Sequence, residues 1–371
     1  MRDKTVTRPR SRREFIQGAS VLGIGAAALG HVGCGSADGA QAGAPSAAPA
    51  TSGERPLFNG VSSKSSEIYP FAYKSFEVNG RQIHYVDEGT GPTVMLVHGQ
   101  GNWSYDYRGV ITRLKGRARV VCHDHFGWGL SDKPAFHRQY TIENHISTLY
   151  GVVRQLDLRD ITMYIMDWGG PIGLGYATAH PENMRGLVIG NTWAWSYDRV
   201  PFLRSNRWFT RNAPVVRPLV ARMRPVRAAR PTPNPGADWD TPEAREVANY
   251  PNRYSELMQL ASSGFNRSTQ NSPDHSLDYL RRTARTFAQI EAGLSKLQHL
   301  PIRIVAPDDN VFSPEHQQRW REIFPKAPPL IPIKNHSHIA QASETASDII
   351  AGAIGDVLDE AARTPANGGA R

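Results

Sequence analysis

Residues 161 to 172 place an apolar run, a tight turn and the start of a helix in immediate succession. The run Ile161–Tyr164 predicts a strand, and Pro171-Ile172 begins a helical pattern. A strand, a sharp turn and a helix in this order hold the side chain at the turn, here Asp167, above the end of a sheet. A carboxylate in that position attacks carbon and leaves an ester on the enzyme. The alternative is that Asp167 is the N-cap of the helix, and only partner residues elsewhere in the chain can decide.

Apolar strands alternate with helical patterns on either side of this turn. Asn79-Gly80 between two strand-like runs predicts a β-hairpin, and a continuous apolar run at 93–97 predicts a central strand that is buried on both faces. Such alternation predicts an α/β fold with a mostly parallel sheet between helices. The predicted strands are 74–78, 82–87, 93–97, 119–123, 161–164, 187–189, 302–306 and 330–333, and a helix is predicted at 142–156.

The alternation breaks between residues 193 and 283, where Arg, Pro and aromatic residues are frequent. An insertion after a sheet strand sits over the carboxyl edge of the sheet, so this segment predicts a helical cap over the site. The predicted organisation is a signal peptide at 1–33, a flexible Ala/Pro/Ser/Gly linker at 34–65, an α/β core at 66–192 and 284–360, the cap at 193–283 and a disordered tail at 361–371.

The formal net charge of +9 is concentrated in two places. Residues 1–33 carry six Lys/Arg against two acids, and the stretch from Arg199 to Arg230 holds nine arginines and no acid. No nucleic-acid motif accompanies the second cluster, so a solvated face near anionic lipid is favoured over nucleic-acid binding. Two cysteines, Cys34 and Cys122, exclude a disulfide-built scaffold.

The N-terminus has the features of a twin-arginine export signal in the expected order. Ser11 to Gln17 resembles S-R-R-x-F-L-K, and a short apolar segment rich in Gly and Ala follows. That segment is too short and too weakly apolar for a stable membrane span. Because the twin-arginine route carries folded proteins across the bacterial inner membrane, the mature protein is predicted to be extracytoplasmic, with the twin-arginine translocase as its partner during export. Cys34 lies in a partial lipobox and is the candidate for lipidation and membrane attachment; a signal-peptidase site near Ala42 is the alternative.

Four motifs, taken in chain order, resemble the α/β-hydrolase fold and, within it, the haloalkane dehalogenases. The resemblance covers residues 70–195 and 297–358, with the cap only loosely similar. It implies an Asp-nucleophile hydrolase that uses no metal and no other cofactor. The motifs are His98-Gly99, the glycine turn at 126–134 that related epoxide hydrolases share, the elbow Asp167-Trp168-Gly169-Gly170-Pro171-Ile172-Gly173, and a carboxyl-terminal acid and histidine.

The resemblance implies that the acid and the base follow the last strands. Asp309 takes the place of the acid, with Asp308 as its rival. His338 matches the family segment A-S-H-F-I-Q and takes the place of the base, with His336 as its rival. Some dehalogenases carry the acid after an earlier strand, where this chain has Asn191. An amide cannot accept the proton, so Asn191 is a candidate for supporting the site by hydrogen bonding.

The implied reaction has two halves. Asp167 displaces a halide from an sp³ carbon, and His338 then activates the water that hydrolyses the resulting ester. The backbone N–H groups of Gln100 and Trp168 would form the oxyanion hole, and the Trp168 indole would donate to the halide.

The family usually supplies a second halide donor from the Asn of an H-G-N-P motif, and this chain differs at that position. Here Gln100 replaces the Asn and adds a methylene. Asn102 and Trp193 are further candidates for supporting this donor site. His98 and His123, at strand ends, are predicted to have structural roles.

Two other functions stay open from the sequence. Epoxide hydrolysis uses the same Asp–His–Asp set, and cap tyrosines protonate the opening oxygen. A tethered protein that binds a small ligand without turnover is the alternative from another class. Each of the three functions implies a small hydrophobic molecule as the partner. The cap tyrosines that are available are Tyr197, Tyr250, Tyr254 and Tyr279.

Overall fold

The predicted α/β core is the part of the chain that can be described in detail. The computed structural model describes residues 51–52, 69–99, 102–132, 134, 141–195, 284–308, 312, 314–336, 338 and 340–363. The predicted signal peptide, residues 196–283 of the predicted cap and residues 364–371 of the predicted tail lie outside these ranges, as does nearly all of the predicted linker. Residues 361–363, which were predicted to belong to the disordered tail, are instead the end of a helix that buries Ala361.

Nine strands of the described residues form a sheet in the order β1-β2-β3-β5-β4-β6-β7-β8-β9. The pairs from β5 through β4 to β9 are parallel, and the pairs that join β1, β2, β3 and β5 are antiparallel. The predicted mostly parallel sheet is therefore confirmed. The strands are β1 Thr51–Ser52, β2 Lys74–Val78, β3 Arg81–Glu88, β4 Thr93–Val97, β5 Arg119–His123, β6 Ile161–Asp167, β7 Met184–Thr192, β8 Ile302–Pro307 and β9 Ile331–Ile333.

The predicted hairpin is present between β2 and β3. Asn79 and Gly80 both have positive φ, 52° and 72°, as the two central residues of a type I′ turn require. Strand β7 is six residues longer than predicted, because beyond residues 187–189, which pair with both β6 and β8, it continues at each end as a partner of β6.

Helices cover both faces of the sheet, and their bounds are α1 Arg108–Leu114, α2 Ile142–Gln155, α3 Gly169–Ala179, α4 Pro314–Ile323 and α5 Glu344–Arg363. Residues 284–293 are also helical. Short 3₁₀ turns occupy Ser104–Tyr107, Pro181–Asn183, Leu294–Leu297 and Ala340–Ala342. No helix in the described ranges combines the length and the apolar character needed to cross a bilayer.

Side chains of the central strands alternate between two hydrophobic cores. In β4, Met95 and Val97 join the core that contains residues of α2 and α3, while Val94 and Leu96 join the core that contains residues of α1 and α5. This alternation explains why the strand is apolar at successive positions, since it is buried on both faces.

The fold brings two chain segments together at the centre of the sheet. Strands β4 and β6 are neighbours, and the chain leaves β4 toward β5 on one side and β6 toward β7 on the other, so the two connections diverge between their carboxyl ends. Ligands of open α/β sheets bind at such a point. The segment His98-Gly99 follows β4, and Asp167 ends the neighbouring β6.

Candidate active site

Asp167 occupies the predicted sharp turn between β6 and α3. Its φ is +47°, a left-handed backbone conformation that few residues other than glycine adopt. The N-cap of α3 is Trp168, with no side-chain capping bond, so Asp167 is not the N-cap residue of this helix. The carboxylate is instead held at the carboxyl edge of the sheet, with 16% of the side chain exposed.

The segment His98-Gly99, which follows β4, packs closely against this turn. A Cβ atom on Gly99 would overlap the Asp167 side chain, so only glycine fits beside the carboxylate. His98 Nε2 accepts the backbone N–H of His125 at 2.8 Å, which places the His98 proton on Nδ1, where it donates to the Gly99 carbonyl at 2.8 Å. His125 Nε2 in turn donates to the His98 carbonyl at 2.9 Å. These bonds hold the segment that leads to Gln100, and they give His125 a role that the sequence did not indicate.

The structure brings His338 to the Asp167 carboxylate. The distance between His338 Nε2 and Asp167 Oδ2 is 3.0 Å, and 20% of the His338 side chain is exposed. Its loop is tied to the sheet at Asp308, whose carboxylate accepts the backbone N–H of Asn335 at 2.9 Å. Asp308 is thus used in shaping the loop on which His338 lies.

His336, the rival candidate for the base, is buried and has a partner at each ring nitrogen. Its Nδ1 donates to the Lys334 carbonyl at 2.6 Å, and its Nε2 lies 2.7 Å from Ser343 Oγ, which donates to it. Ser343 Oγ also accepts the backbone N–H of Ala346 in the first turn of α5. His336 therefore connects the loop to a helix and has no ring nitrogen left for a proton transfer.

Three predicted site residues lie outside the described residues: Asp309, Gln100 and Cys34. The four tyrosines of the predicted cap, Tyr197, Tyr250, Tyr254 and Tyr279, also lie outside them.

Aromatic side chains line the site next to Asp167. The rings of Trp168 and Trp193 meet edge to face with their centroids 5.0 Å apart. Phe312 lies 5.6 Å from the His338 ring and 5.7 Å from the Trp193 ring. Trp193 is fully buried, and its Nε1 has no hydrogen-bond partner within the described part of the structure. A buried donor of this kind normally finds an acceptor, which here a ligand can supply.

The two asparagines have different surroundings. Asn191 is buried at the end of β7, where its Oδ1 accepts Gln317 Nε2 of α4. Asn102 is 4% exposed and its backbone N–H reaches the Gly99 carbonyl at 3.4 Å. Its side-chain Nδ2 is buried and has no partner among the residues that the structure describes.

A histidine cluster of His98, His123 and His125 lies behind the site. The ring of His125 is 4.1 Å from that of His98 and 4.7 Å from that of His123, measured between centroids. Burial lowers the pKa of His98 and lowers that of His125 well below its ordinary value; burial and the neighbouring His98 lower the pKa of His123 to about 3. The cluster is therefore neutral at pH 7 and adds no positive charge near Asp167.

Sequence reasoning missed Thr192, which contacts the candidate nucleophile directly. Its Oγ1 donates to the Asp167 carbonyl at 2.5 Å. The residue follows Asn191 at the end of a strand, and no motif marks it. Only the register of β7 on β6, in which Thr192 pairs with Asp167, brings the two residues together.

Known proteins show the same fold and related sequences. The family model for the alpha/beta hydrolase fold matches residues 92–343. Haloalkane dehalogenase 2 of Mycobacterium tuberculosis is 41% identical over 132 residues, which are 36% of this chain and 46% of that protein. The cis-3-alkyl-4-alkyloxetan-2-one decarboxylase of Shewanella oneidensis is 39% identical over 147 residues, 39% of this chain and 46% of that protein. The chain thus spans about half the length of these curated relatives.

A solved structure extends the similarity of fold further along the chain. Haloalkane dehalogenase DpaA from Paraglaciecola agarilytica superposes with a TM-score of 0.59 at 20% identity, over 78% of this chain and 93% of that one. Since the family model matches more than half of the sequence, the chain belongs to the alpha/beta hydrolase fold family.

Proposed function

We propose that this protein is a hydrolase that cleaves carbon–halogen bonds of haloalkanes through an ester on Asp167. One observation carries the proposal: a carboxylate in a left-handed turn at the centre of the sheet lies 3.0 Å from the imidazole of His338. An aspartate in place of serine favours attack on an sp³ carbon, because the resulting ester can be hydrolysed to regenerate the carboxylate. The similarity to haloalkane dehalogenase 2 supports the same substrate class.

In the first half-reaction, an Asp167 oxygen forms a bond to the substrate carbon as the carbon–halogen bond breaks and halide leaves. The leaving halide needs hydrogen-bond donors in a site without bulk water. The indole N–H of Trp168 is the first donor that we assign. The second comes from Gln100, Asn102 or Trp193, and the unpartnered buried N–H groups of Asn102 and Trp193 fit this need.

In the second half-reaction, His338 takes a proton from water, and the oxygen attacks the ester carbonyl carbon of Asp167. The bond between the carbonyl carbon and the alkyl oxygen breaks, that oxygen takes the proton back from His338 and leaves as the alcohol, and the Asp167 carboxyl group loses its proton to water, which restores the carboxylate. Asp309 is assigned to orient and stabilise the protonated imidazole, because the neighbouring Asp308 already accepts the Asn335 N–H. Backbone N–H groups of Gln100 and Trp168 would stabilise the oxyanion.

The test is an assay of the purified protein with brominated alkanes, measuring bromide and alcohol. Bromide release that is lost in Asp167→Asn, together with a lower rate in Trp168→Phe, is the expected result. Diol formation from styrene-type epoxides without bromide from any alkane would favour the epoxide hydrolase alternative. Binding of bromoalkanes without any product would favour the ligand-binding alternative.

A second candidate reaction follows from the decarboxylase of Shewanella oneidensis, which acts on a cis-3-alkyl-4-alkyloxetan-2-one. Such a four-membered ring contains an sp³ carbon bonded to a leaving oxygen, and a carboxylate at the elbow can attack that carbon as it attacks a haloalkane. Adding dialkyl oxetanones to the assay separates the two reactions. Release of carbon dioxide without bromide from any alkane would replace the dehalogenase proposal.

We also propose that the protein is exported by the twin-arginine route and acts outside the cytoplasm. The support is the order of the Arg12-Arg13 pair, the apolar segment and the small residues before Ala42. Changing both arginines to lysine should leave the protein in the cytoplasmic fraction. Cys34→Ala should release the exported protein from membranes, and unchanged membrane association in this variant would count against lipidation.

A further inference from the structure

The register of the sheet shifts beside the candidate nucleophile. Strands β6 and β7 pair Ile165 with Ile189, but two residues later in β6 Asp167 pairs with Thr192, so β7 contains one extra residue between the two pairs. This irregularity places the Thr192 side chain at the Asp167 main chain. The hydroxyl donates to the Asp167 carbonyl at 2.5 Å.

Thr192 is itself held in place from helix α4. Its carbonyl accepts two donors of that helix, His316 Nε2 at 3.0 Å and Trp320 Nε1 at 3.1 Å. Thr192 is fully buried, so these bonds are shielded from water. Two donors on one carbonyl fix the orientation of the peptide group that joins Thr192 to Trp193.

Helix α3 is packed against the same hydroxyl. A Cβ atom on Gly170 would overlap Thr192 Oγ1, so the first turn of the helix lies as close to Thr192 as a glycine allows. Asp167 accepts the Thr192 hydroxyl at its carbonyl and precedes this tightly packed helix turn, and it has the left-handed conformation, with φ at +47°. Such a conformation persists only where its surroundings hold it.

We propose that Thr192 is a positioning residue for the nucleophile. Its hydroxyl holds the Asp167 peptide in the left-handed conformation, and this directs the carboxylate toward His338 Nε2 and the reacting carbon. The proposal rests on the proposed function in that Asp167 is taken as the nucleophile. It assigns to a strand-end threonine a contribution to the chemical step that no motif in the chain indicates.

Three variants separate this role from ordinary packing. Thr192→Val keeps the shape and removes the hydroxyl, and Thr192→Ser keeps the hydroxyl. Thr162→Val is the matched control, because Thr162 is equally buried in β6 and its Oγ1 has no partner within the described ranges. Each variant is made in the wild-type protein and in the His338→Ala protein. In the latter the ester should persist, so that its mass can be measured on the intact protein.

The first measurement is the rate of ester formation on Asp167 with a bromoalkane, followed by mass spectrometry in the His338→Ala protein. Thr192→Val should form the ester about 10- to 100-fold more slowly, the loss expected from a displaced reacting group, with little change in the substrate concentration at half-maximal rate. Thr192→Ser and Thr162→Val should both stay close to the parent. Equal rates for Thr192→Val and Thr162→Val would overturn the proposal.

The second measurement does not depend on the reaction. Hydrogen exchange of a peptide that covers residues 165–170 should be faster in Thr192→Val and restored in Thr192→Ser. If the parent forms no ester with any substrate, the proposed function fails, and the exchange comparison alone decides the role of Thr192. If Thr192→Val does not fold, Trp320→Phe takes its place in both measurements, since it removes one of the two donors to the Thr192 carbonyl. Parent-like ester formation and exchange in that variant would then overturn the proposal.

Discussion

At the scale of single residues, two histidines two positions apart have opposite environments. His336 is buried with a partner at each ring nitrogen, whereas His338 directs Nε2 at Asp167 Oδ2. A residue whose hydrogen bonds are all used within the fold contributes to stability, and a residue that faces a carboxylate at a partly exposed edge can exchange protons with a substrate or water.

Replacing each histidine should therefore have a different result. His338→Ala should release about one equivalent of bromide per protein and then stop, because the ester forms but water is no longer activated. His336→Asn should lower the free energy of unfolding by about 1–3 kcal/mol and retain continuous turnover. Bromide counting and urea unfolding check the two results, and continuous turnover by His338→Ala would contradict the assignment of the base.

At the scale of elements, helices α1 and α5 pack at a glycine. A Cβ atom on Gly109 of α1 would overlap the Ser347 side chain of α5, so the small residue sets how closely the two helices approach. Gly352, near the middle of α5, is exposed, and a Cβ atom there would meet no atom within 4 Å. Replacing glycine by alanine is thus expected to change the free energy of unfolding in opposite directions in the two helices.

Gly352→Ala should raise the free energy of unfolding by about 0.5–1 kcal/mol, because alanine loses less backbone entropy than glycine in a helix. Gly109→Ala should lower it by about 1–3 kcal/mol, because the added methyl group forces the helices apart. Denaturant unfolding of both variants measures the difference. A stabilised Gly109→Ala would show that α5 can shift without cost.

At the scale of the whole molecule, the core of the protein contains three neutral imidazoles. The folded-state pKa values of His98, His123 and His125 are lowered by burial, that of His123 to about 3, while the nearby Asp124 favours protonation of His98 and His123. The unfolded chain takes up these protons near pH 6.5. As the pH falls below that value, the unfolded state binds protons that the folded state does not, so the folded state loses stability.

The free energy of unfolding should therefore fall as the pH drops below 6.5, and His123 alone should contribute about 1.4 kcal/mol per pH unit down to about pH 3. The lowered pKa values of His98 and His125 change the free energy of unfolding in the same direction. His123→Phe removes one of the three histidines at a position where neither ring nitrogen has a partner in the described structure. In that variant the slope should decrease by about 1.4 kcal/mol per pH unit. Urea unfolding at pH 7.5, 6.5 and 5.5 gives the slopes, and equal slopes for both proteins would show that His123 does not titrate in this way.

The local pattern of the sequence was sufficient for the elements and for the turn that carries Asp167. Hairpin residues Asn79-Gly80, the doubly buried strand β4 and the elbow were predicted because turn preference and apolar periodicity act over a few neighbouring residues. The bounds of β7 were predicted too short, since pairing with β6 extends the strand at both ends beyond its most apolar residues.

Amino-acid sequence by itself determined the fold class, the position of the candidate nucleophile and a choice between His336 and His338. Tertiary structure decided which histidine reaches the carboxylate, how His125 holds the segment at Gly99, and that Thr192 supports the Asp167 main chain. These contacts join residues that are 25 or more positions apart. They depend on strand register and on the packing of helices against the sheet, and no local pattern of residues encodes either of them.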